Sequence, residues 1–258
     1  MIDIHSHILP GIDDGARTEA DSIAMAQVAI KEGIDTIIAT PHHRNNSYDN
    51  YKQEIVTNVS ILNELFQQRN IPLKVIAGQE VRIYGELLED YAKGEIQTLA
   101  DTKYLLLEFP SREVPQYAEQ LLYDIQLSGL RPIIAHPERN MELLENHDRM
   151  YELIRNGALA QITAGSVLGK FGKDVQEFTE QLLKANLVHF VASDAHNTKS
   201  RGFGLADAYD VINEQFGVEI YYMLLENSQL LIDDANVNRF EPSRIQQKKG
   251  FFSFLKRK

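Results

Sequence analysis

At 258 residues, with 43% hydrophobic and 24% charged residues, the chain has the size and composition of a globular protein built on one large core. No apolar stretch approaches the roughly 20 residues of a membrane span, and a formal net charge of −11 argues against a nucleic-acid partner, since phosphate backbones are bound by clustered Lys and Arg. Cysteine is absent, which excludes disulfides, thiolate metal sites and every mechanism that uses a cysteine nucleophile.

The chain opens at once on a strand pattern, MIDIHSHI, which leaves no room for a signal peptide and predicts a cytoplasmic protein. Seven short, mostly apolar segments read as parallel strands buried on both faces: 2–7 (IDIHSH), 36–43 (TIIATPHH), 73–80 (LKVIAGQE), 104–108 (YLLLE), 132–136 (PIIAH), 159–163 (LAQIT) and 188–196 (VHFVASDAH). Helical periodicity fills the intervals. Residues 20–31 carry Ile23, Ala26, Ala29 and Ile30 before a stop at Gly33; residues 55–66 carry Ile55, Val59, Leu62 and Phe66; 117–127 and 178–187 repeat the pattern. Strand and helix alternate at intervals of about 30 residues, which predicts an α/β fold of parallel units closing into a distorted, seven-stranded TIM-like (β/α) barrel. An open doubly wound sheet is the alternative. Against it, the GIDDGA that follows the first strand is too irregular for a dinucleotide fingerprint. The expected organisation is one catalytic domain over 1–240 and a tail over 241–258.

In a barrel, residues at the C-terminal ends of the strands share one mouth. His5 and His7, two apart on the first strand, leave the same face. His42 and His43 end the second strand, Glu80 the third, Glu108 the fourth and His136 the fifth, while Asp194 and His196 close the seventh. A single such residue is more often a cap or a surface group, and His147 and His189 are assigned to that class. The recurrence at strand after strand is what points to metal, because carboxylates and imidazoles crowded at one mouth need compensating cations. Nitrogen and oxygen ligands without sulfur suit Mn²⁺, Zn²⁺ or Fe²⁺, and so many candidates imply two or three ions. A multinuclear centre that acidifies water suits phosphoester hydrolysis. Arg139 in HPERN and Arg201 in SDAHNTKSR are placed to bind the phosphoryl oxygens.

The motifs DIHSHILPGIDDGA, TPHH, GQE, LLLEFP, AHPERN and ASDAH together resemble the polymerase and histidinol phosphatase (PHP) superfamily, from Met1 to about Leu231. Within it they are most similar to the manganese-dependent tyrosine-protein phosphatases of bacterial capsule and exopolysaccharide operons. The resemblance implies a PHP fold and a three-metal site: His5, His7, Glu80 and Asp194 for one ion, Asp14, His42 and His196 for a second, Glu108 and His136 with Glu80 bridging for a third. Asp14 and Glu108 stand where the wider superfamily often has histidine, and these harder carboxylates favour Mn²⁺ over Fe or Zn. The implied reaction is phosphotyrosine hydrolysis by water activated at the metals, with Arg139, Arg201, His42 and Asp194 as candidate catalytic residues. The implied partner is the phosphorylated, Tyr-rich tail of a bacterial tyrosine kinase that controls polysaccharide export. Arg44, Asn45 and Tyr48 are candidates to line the mouth. Two other readings compete: a PHP phosphatase for a small metabolite such as histidinol phosphate, and a non-catalytic regulator that binds the kinase.

From Arg244 onward six basic residues meet no acidic one, so the rest of the chain carries −17. Their interleaving with Phe251, Phe252, Phe254 and Leu255 predicts weak attachment to an anionic membrane surface.

Overall fold

The computed structural model describes residues 1–246. Strands β1 (Ile2–Ser6), β2 (Thr36–Ala39), β3 (His42–His43), β4 (Lys74–Ala77), β5 (Glu80–Arg82), β6 (Tyr104–Glu108), β7 (Arg131–Ala135), β8 (Leu159–Thr163) and β9 (Phe190–Ala192) are all parallel to their neighbours. The helices are α1 (Glu19–Lys31), α2 (Lys52–Gln68), α3 (Leu87–Ala92), α4 (Ala118–Leu127), α5 (Met141–Glu145), α6 (His147–Arg155), α7 (Ala164–Val167), α8 (Lys173–Lys184), α9 (Leu205–Phe216) and α10 (Val218–Ile232). No described helix is long and apolar enough to cross a membrane. Most of the basic, aromatic tail, residues 247–258, lies outside the described residues, and with it the phenylalanines expected to touch a membrane.

The expected seven strands are nine among the described residues, in two sheets ordered β1-β2-β4 and β3-β5-β6-β7-β8-β9. Two of the expected strands break in the middle. Residues 36–43 divide at Thr40–Pro41, where proline has no N–H for a ladder. Residues 73–80 divide at Gly78–Gln79, where a Cβ on Gly78 would stand 2.5 Å from Ile38 Cγ2 and 2.9 Å from Leu99 Cδ2. The break moves β3 and β5 into the larger sheet while β2 and β4 stay beside β1. Between the outer edges, Ser6 and Ala195 form a single parallel bridge, with His7 N donating to Ala195 O at 2.9 Å and Asp194 N to His5 O at 2.9 Å.

Two cores follow from strand alternation. Ile4, Ile38, Tyr104, Leu106, Ile133, Leu159 and Phe190 form one cluster enclosed by the strands, joined by Leu231 of α10. Their neighbours, among them Ile37, Val75, Leu105, Leu107, Ile134, Ala160 and Val191, face the helices in a second cluster. There Ile55, Val59, Leu62 and Phe66 are the buried stripe of α2, at the spacing the sequence shows. Thr18 caps α1 reciprocally with Asp21, so that helix starts one residue before the expected boundary. Helices α9 and α10, absent from the sequence reading, pack on each other, and α10 also covers β1 and β9.

Candidate metal centre

The nine ligands implied by the family resemblance meet in one cluster, whereas His43, also a strand-end candidate, stands outside it. His5 Nε2 lies 3.4 Å from Glu80 Oε2 and 3.5 Å from Asp194 Oδ1, and His7 Nε2 lies 3.4 and 3.3 Å from the same two oxygens. His42 Nδ1 is 2.8 Å from Glu80 Oε2 and 3.9 Å from Glu108 Oε2, while its Nε2 is 3.4 Å from Asp14 Oδ1. His136 Nε2 stands 2.7 Å from Glu80 Oε1, and His196 Nε2 3.2 Å from Asp14 Oδ1. Three overlapping sets have ligand atoms close enough to share an ion: His7, Asp14, His42 and His196; His5, His7 and Glu80; His42, Glu80 and Glu108. The expected groups divide the residues differently: His7 and His42 each enter two of these sets, while Asp194 and His136, expected in the first and third groups, belong to none of the three and border the cluster through their contacts with His5, His7 and Glu80.

Strand register does much of this. His42 pairs with Glu80, Glu80 with Leu106 and Arg82 with Glu108, so three ligand-bearing ends lie side by side. Where alternation would aim a side chain the wrong way, the backbone departs from it. Ile4 and Ala135 face the enclosed core, so His5 and His136 would otherwise point outward. The β1–β2 register shifts between Asp3 and Ser6, an irregularity of the kind that re-aims side chains beside active sites. His136 adopts φ 34°, and Asp194 φ 53°, a left-handed conformation that costs non-glycine residues about 1 kcal/mol or more.

The donor set fits divalent cations. Glu80 Oε2, Glu108 Oε2, His42 Nδ1 and His196 Nε2 are buried and, although each lies in ion-pair range of Glu80, His42, Asp14 or Arg82, none makes a well-directed hydrogen bond, so their lone pairs are left for an ion to take. His5 and His7 point Nε2 at Nε2, 3.3 Å apart, each ring turned by a partner on the other nitrogen: Gln161 Oε1 at 2.8 Å from His5 Nδ1 and Asp13 Oδ2 at 2.7 Å from His7 Nδ1. His196 Nδ1 likewise faces Asp194 O at 2.9 Å. The cluster draws positive charge. Burial alone would lower the His42 imidazole, yet the Glu80 charge and the contact with Asp14 push it up to about 10. Burial and the neighbouring Glu80 push Glu108 up to about 7 against the pull of Arg82. Burial, reinforced by Arg139, lowers His136 to about 4 against the pull of Glu80.

Both expected arginines reach the cluster. Arg139 pairs with Asp194 Oδ2 and lies 4.9 Å under the Phe171 ring, and Arg201 reaches Asp194 Oδ2 at 3.2 Å and Asp14 Oδ2 at 3.4 Å. Of the residues expected at the mouth, Tyr48 lies nearly parallel to His42 at 6.3 Å, and Asn45 caps its own turn by accepting from Ser47 N and Tyr48 N. Arg44 turns away to Asp90 and Tyr84. His43, on the opposite face of its strand from His42, packs between Tyr51 and Tyr84. His147 stacks on Phe178 and His189 accepts from Ala160 N, both outside the cluster. Thr163, at the strand end without a ligand, caps α7 and bonds Glu138. Asp13, Gln161 and Arg82 are the members that sequence reasoning missed. Asp13 was visible as the first of two adjacent aspartates in GIDDGA, but nothing in the chain distinguishes its role from that of Asp14; Gln161 and Arg82 carry no signal.

The model of the CpsB/CapC family, described as capsular polysaccharide synthesis, matches residues 1–233. Tyrosine-protein phosphatase YwqE of Bacillus subtilis is 51% identical over 98% of this chain and 100% of its own length. Tyrosine-protein phosphatase CpsB of Streptococcus pneumoniae is 32% identical over 91% of this chain and 99% of its own. A crystal structure of YwqE, described with CpsB as metal-dependent tyrosine phosphatases, superposes with a TM-score of 0.94 at 51% identity, covering 96% of this chain and 100% of that one. A histidinol phosphate phosphatase from Lactococcus lactis, at 13% identity and a TM-score of 0.50, shares the fold over 95% of this chain and 98% of its own.

Proposed function

The chain belongs to the CpsB/CapC family of capsular polysaccharide synthesis and is a metal-dependent tyrosine-protein phosphatase, and on that premise we propose that it acts in the cytoplasm on the phosphorylated, tyrosine-rich tail of a cognate bacterial tyrosine kinase. The nine clustered side chains act as ligands in the grouping that the family resemblance implies, two or three ions being held by His5, His7, Asp14, His42, Glu80, Glu108, His136, Asp194 and His196. Mn²⁺ is the favoured ion, because Asp14 and Glu108 add hard oxygen donors. Seven staves, with β2–β3 and β4–β5 as two broken ones, describe the barrel, supported by the Ser6–Ala195 bridge between its first and last members. Residues 1–240 form the phosphatase domain, and the basic tail holds it weakly at an acidic membrane face.

The observation that carries the reading is the single buried cluster of imidazoles and carboxylates flanked by two guanidinium groups. Bound divalent ions supply charge to the phosphoryl oxygens and acidify water. Arg139 and Arg201, both drawn to Asp194, converge on the same edge of the cluster and bind the remaining phosphoryl oxygens there. A cavity of about 60 Å³ between Glu108, His136 and Arg139 suits a phosphate group, and a cleft of about 370 Å³ along Asp14, Arg17, His196 and Lys199 leaves room for the flanking peptide. The departing phenolate, with a parent pKa of about 10, needs little general-acid help. Phosphate release from a phosphotyrosine peptide and from histidinol phosphate, each with and without Mn²⁺, tests the proposal. Mn²⁺-dependent turnover of the peptide, well above that of histidinol phosphate, is expected; preference for histidinol phosphate would replace it with the small-metabolite reading.

A further inference from the structure

Three histidines of the cluster present Nε2 to it and are held by the other ring nitrogen, but not by equivalent partners. His5 leans on the neutral amide of Gln161 and His196 on a backbone carbonyl, whereas His7 faces the carboxylate of Asp13. Asp13 is buried, its side chain only 1% exposed. Its Oδ2 also accepts from the backbone N–H of His42 at 3.2 Å, and its Oδ1 accepts from Gly15 N at 2.9 Å. One carboxylate therefore joins the end of β1, the loop that carries Asp14 and the start of β3. The same three segments are tied from outside: Asn50 Nδ2 donates to His42 O at 2.9 Å and to Ile12 O at 3.1 Å, and Ala16 N donates to His7 O at 3.0 Å.

We propose that Asp13 is a positioning residue for the metal centre, fixing the His7 ring and the His42 backbone with a single charged acceptor so that His7, Asp14 and His42 keep their spacing. The inference rests on the metal-dependent reading above. An anionic acceptor at Nδ1 holds the ring proton there, leaves the Nε2 lone pair aimed into the cluster and makes it a stronger donor; loss of such partners costs about 10- to 100-fold in metal affinity. A role confined to the turn would need much less. The bond from Gly15 N to the side chain two residues before it is one that asparagine makes equally well. Asp13→Asn thus preserves the turn while removing the charge and, because the amide nitrogen that replaces Oδ2 can only donate, both contacts that Oδ2 accepts from His7 and His42.

Two measurements on the full chain decide the matter. Calorimetric titration of Mn²⁺ into metal-free Asp13→Asn, against the wild type, is expected to show binding weakened about 10- to 100-fold at unchanged helical content; equal affinities would overturn the proposal. Long-range ¹H–¹⁵N correlation on the zinc-loaded wild type, which does not depend on the folding of any variant, is expected to place the His7 ring proton on Nδ1. A proton on Nε2 would equally overturn it. Failure of the wild type to bind Mn²⁺ or Zn²⁺ at all would instead remove the metal reading on which the inference stands.

Discussion

His136 turns Nε2 onto Glu80 at 2.7 Å, whereas Arg139, three residues further on, passes to Asp194 and the Phe171 ring. The proposed roles separate under truncation. His136→Ala is expected to bind fewer ions by elemental analysis of the purified protein, and Arg139→Ala to retain the full complement while kcat falls about 10²- to 10³-fold, the usual effect of removing one donor to a developing negative charge. Identical metal content and rate in the two variants would contradict both assignments. His189 gives a test away from the site. Burial, aided by the charge of Arg239, lowers its pKa to about 3, so the folded protein keeps it neutral. An unfolded histidine takes a proton near pH 6.5. Between those values the unfolded state binds one more proton, so His189 lowers stability as the pH falls through that window, by up to about 1.4 kcal/mol per pH unit. His189→Asn, which can still accept from Ala160 N, is expected to flatten the decline in urea midpoint from pH 6.5 to 4; an unchanged slope would show that His189 does not contribute.

The proposed ligands are only as well placed as the ends of the elements that bear them. The loop after β1 folds back so closely that a Cβ on Gly15 would lie 2.1 Å from His7 O and 2.4 Å from His7 Cβ. Both are atoms of the site's own frame and cannot swing aside as a flexible side chain would. Gly15→Ala must therefore displace the segment that carries Asp13 and Asp14. Weaker Mn²⁺ binding and a loss of about 1–3 kcal/mol of stability are expected, read by titration and by denaturant unfolding; wild-type affinity would mean the loop is more compliant than its packing implies. The broken strands obey the same logic. Pro41 and Gly78 interrupt two ladders at one level, and the pairs beyond the break bring His42 beside Glu80. Apolar runs such as TIIA and KVIA were readable as buried strands, but a run of that kind does not state where its ladder changes partner. Helices α9 and α10 follow the last strand with none after them, so the strand–helix alternation that marks the other helices does not extend to 205–232.

Across the whole molecule, the site concentrates five carboxylates, Asp13, Asp14, Glu80, Glu108 and Asp194, against the nearby guanidinium groups of Arg82, Arg139 and Arg201. The remaining negative charge opposes folding unless cations or protons offset it. Metal binding is thereby coupled to stability, and Mn²⁺ at about 100 times its dissociation constant is expected to add about 2.7 kcal/mol per site. Scanning calorimetry with and without a chelator reads this directly: the chelated protein should melt several degrees lower and recover when Mn²⁺ is restored. A midpoint indifferent to chelation would deny the cluster its cation.

The amino-acid sequence by itself determined the α/β class, the parallel strands, eight of the residues that converge and the chemistry those donors suit, because burial periodicity and ligand type are local properties of the chain; Asp14 came only through the family resemblance, and His43, read with the same strand ends, stays outside the cluster. Tertiary structure alone decided the partition into two sheets, the turning of His5 and His136 toward the cluster, and the partnership of Asp13 and Gln161 with the histidine rings. Those depend on register shifts, a left-handed backbone at His136 and contacts between segments as far apart as His5 and Gln161. No local pattern encodes such contacts, since each is selected by the packing of the whole.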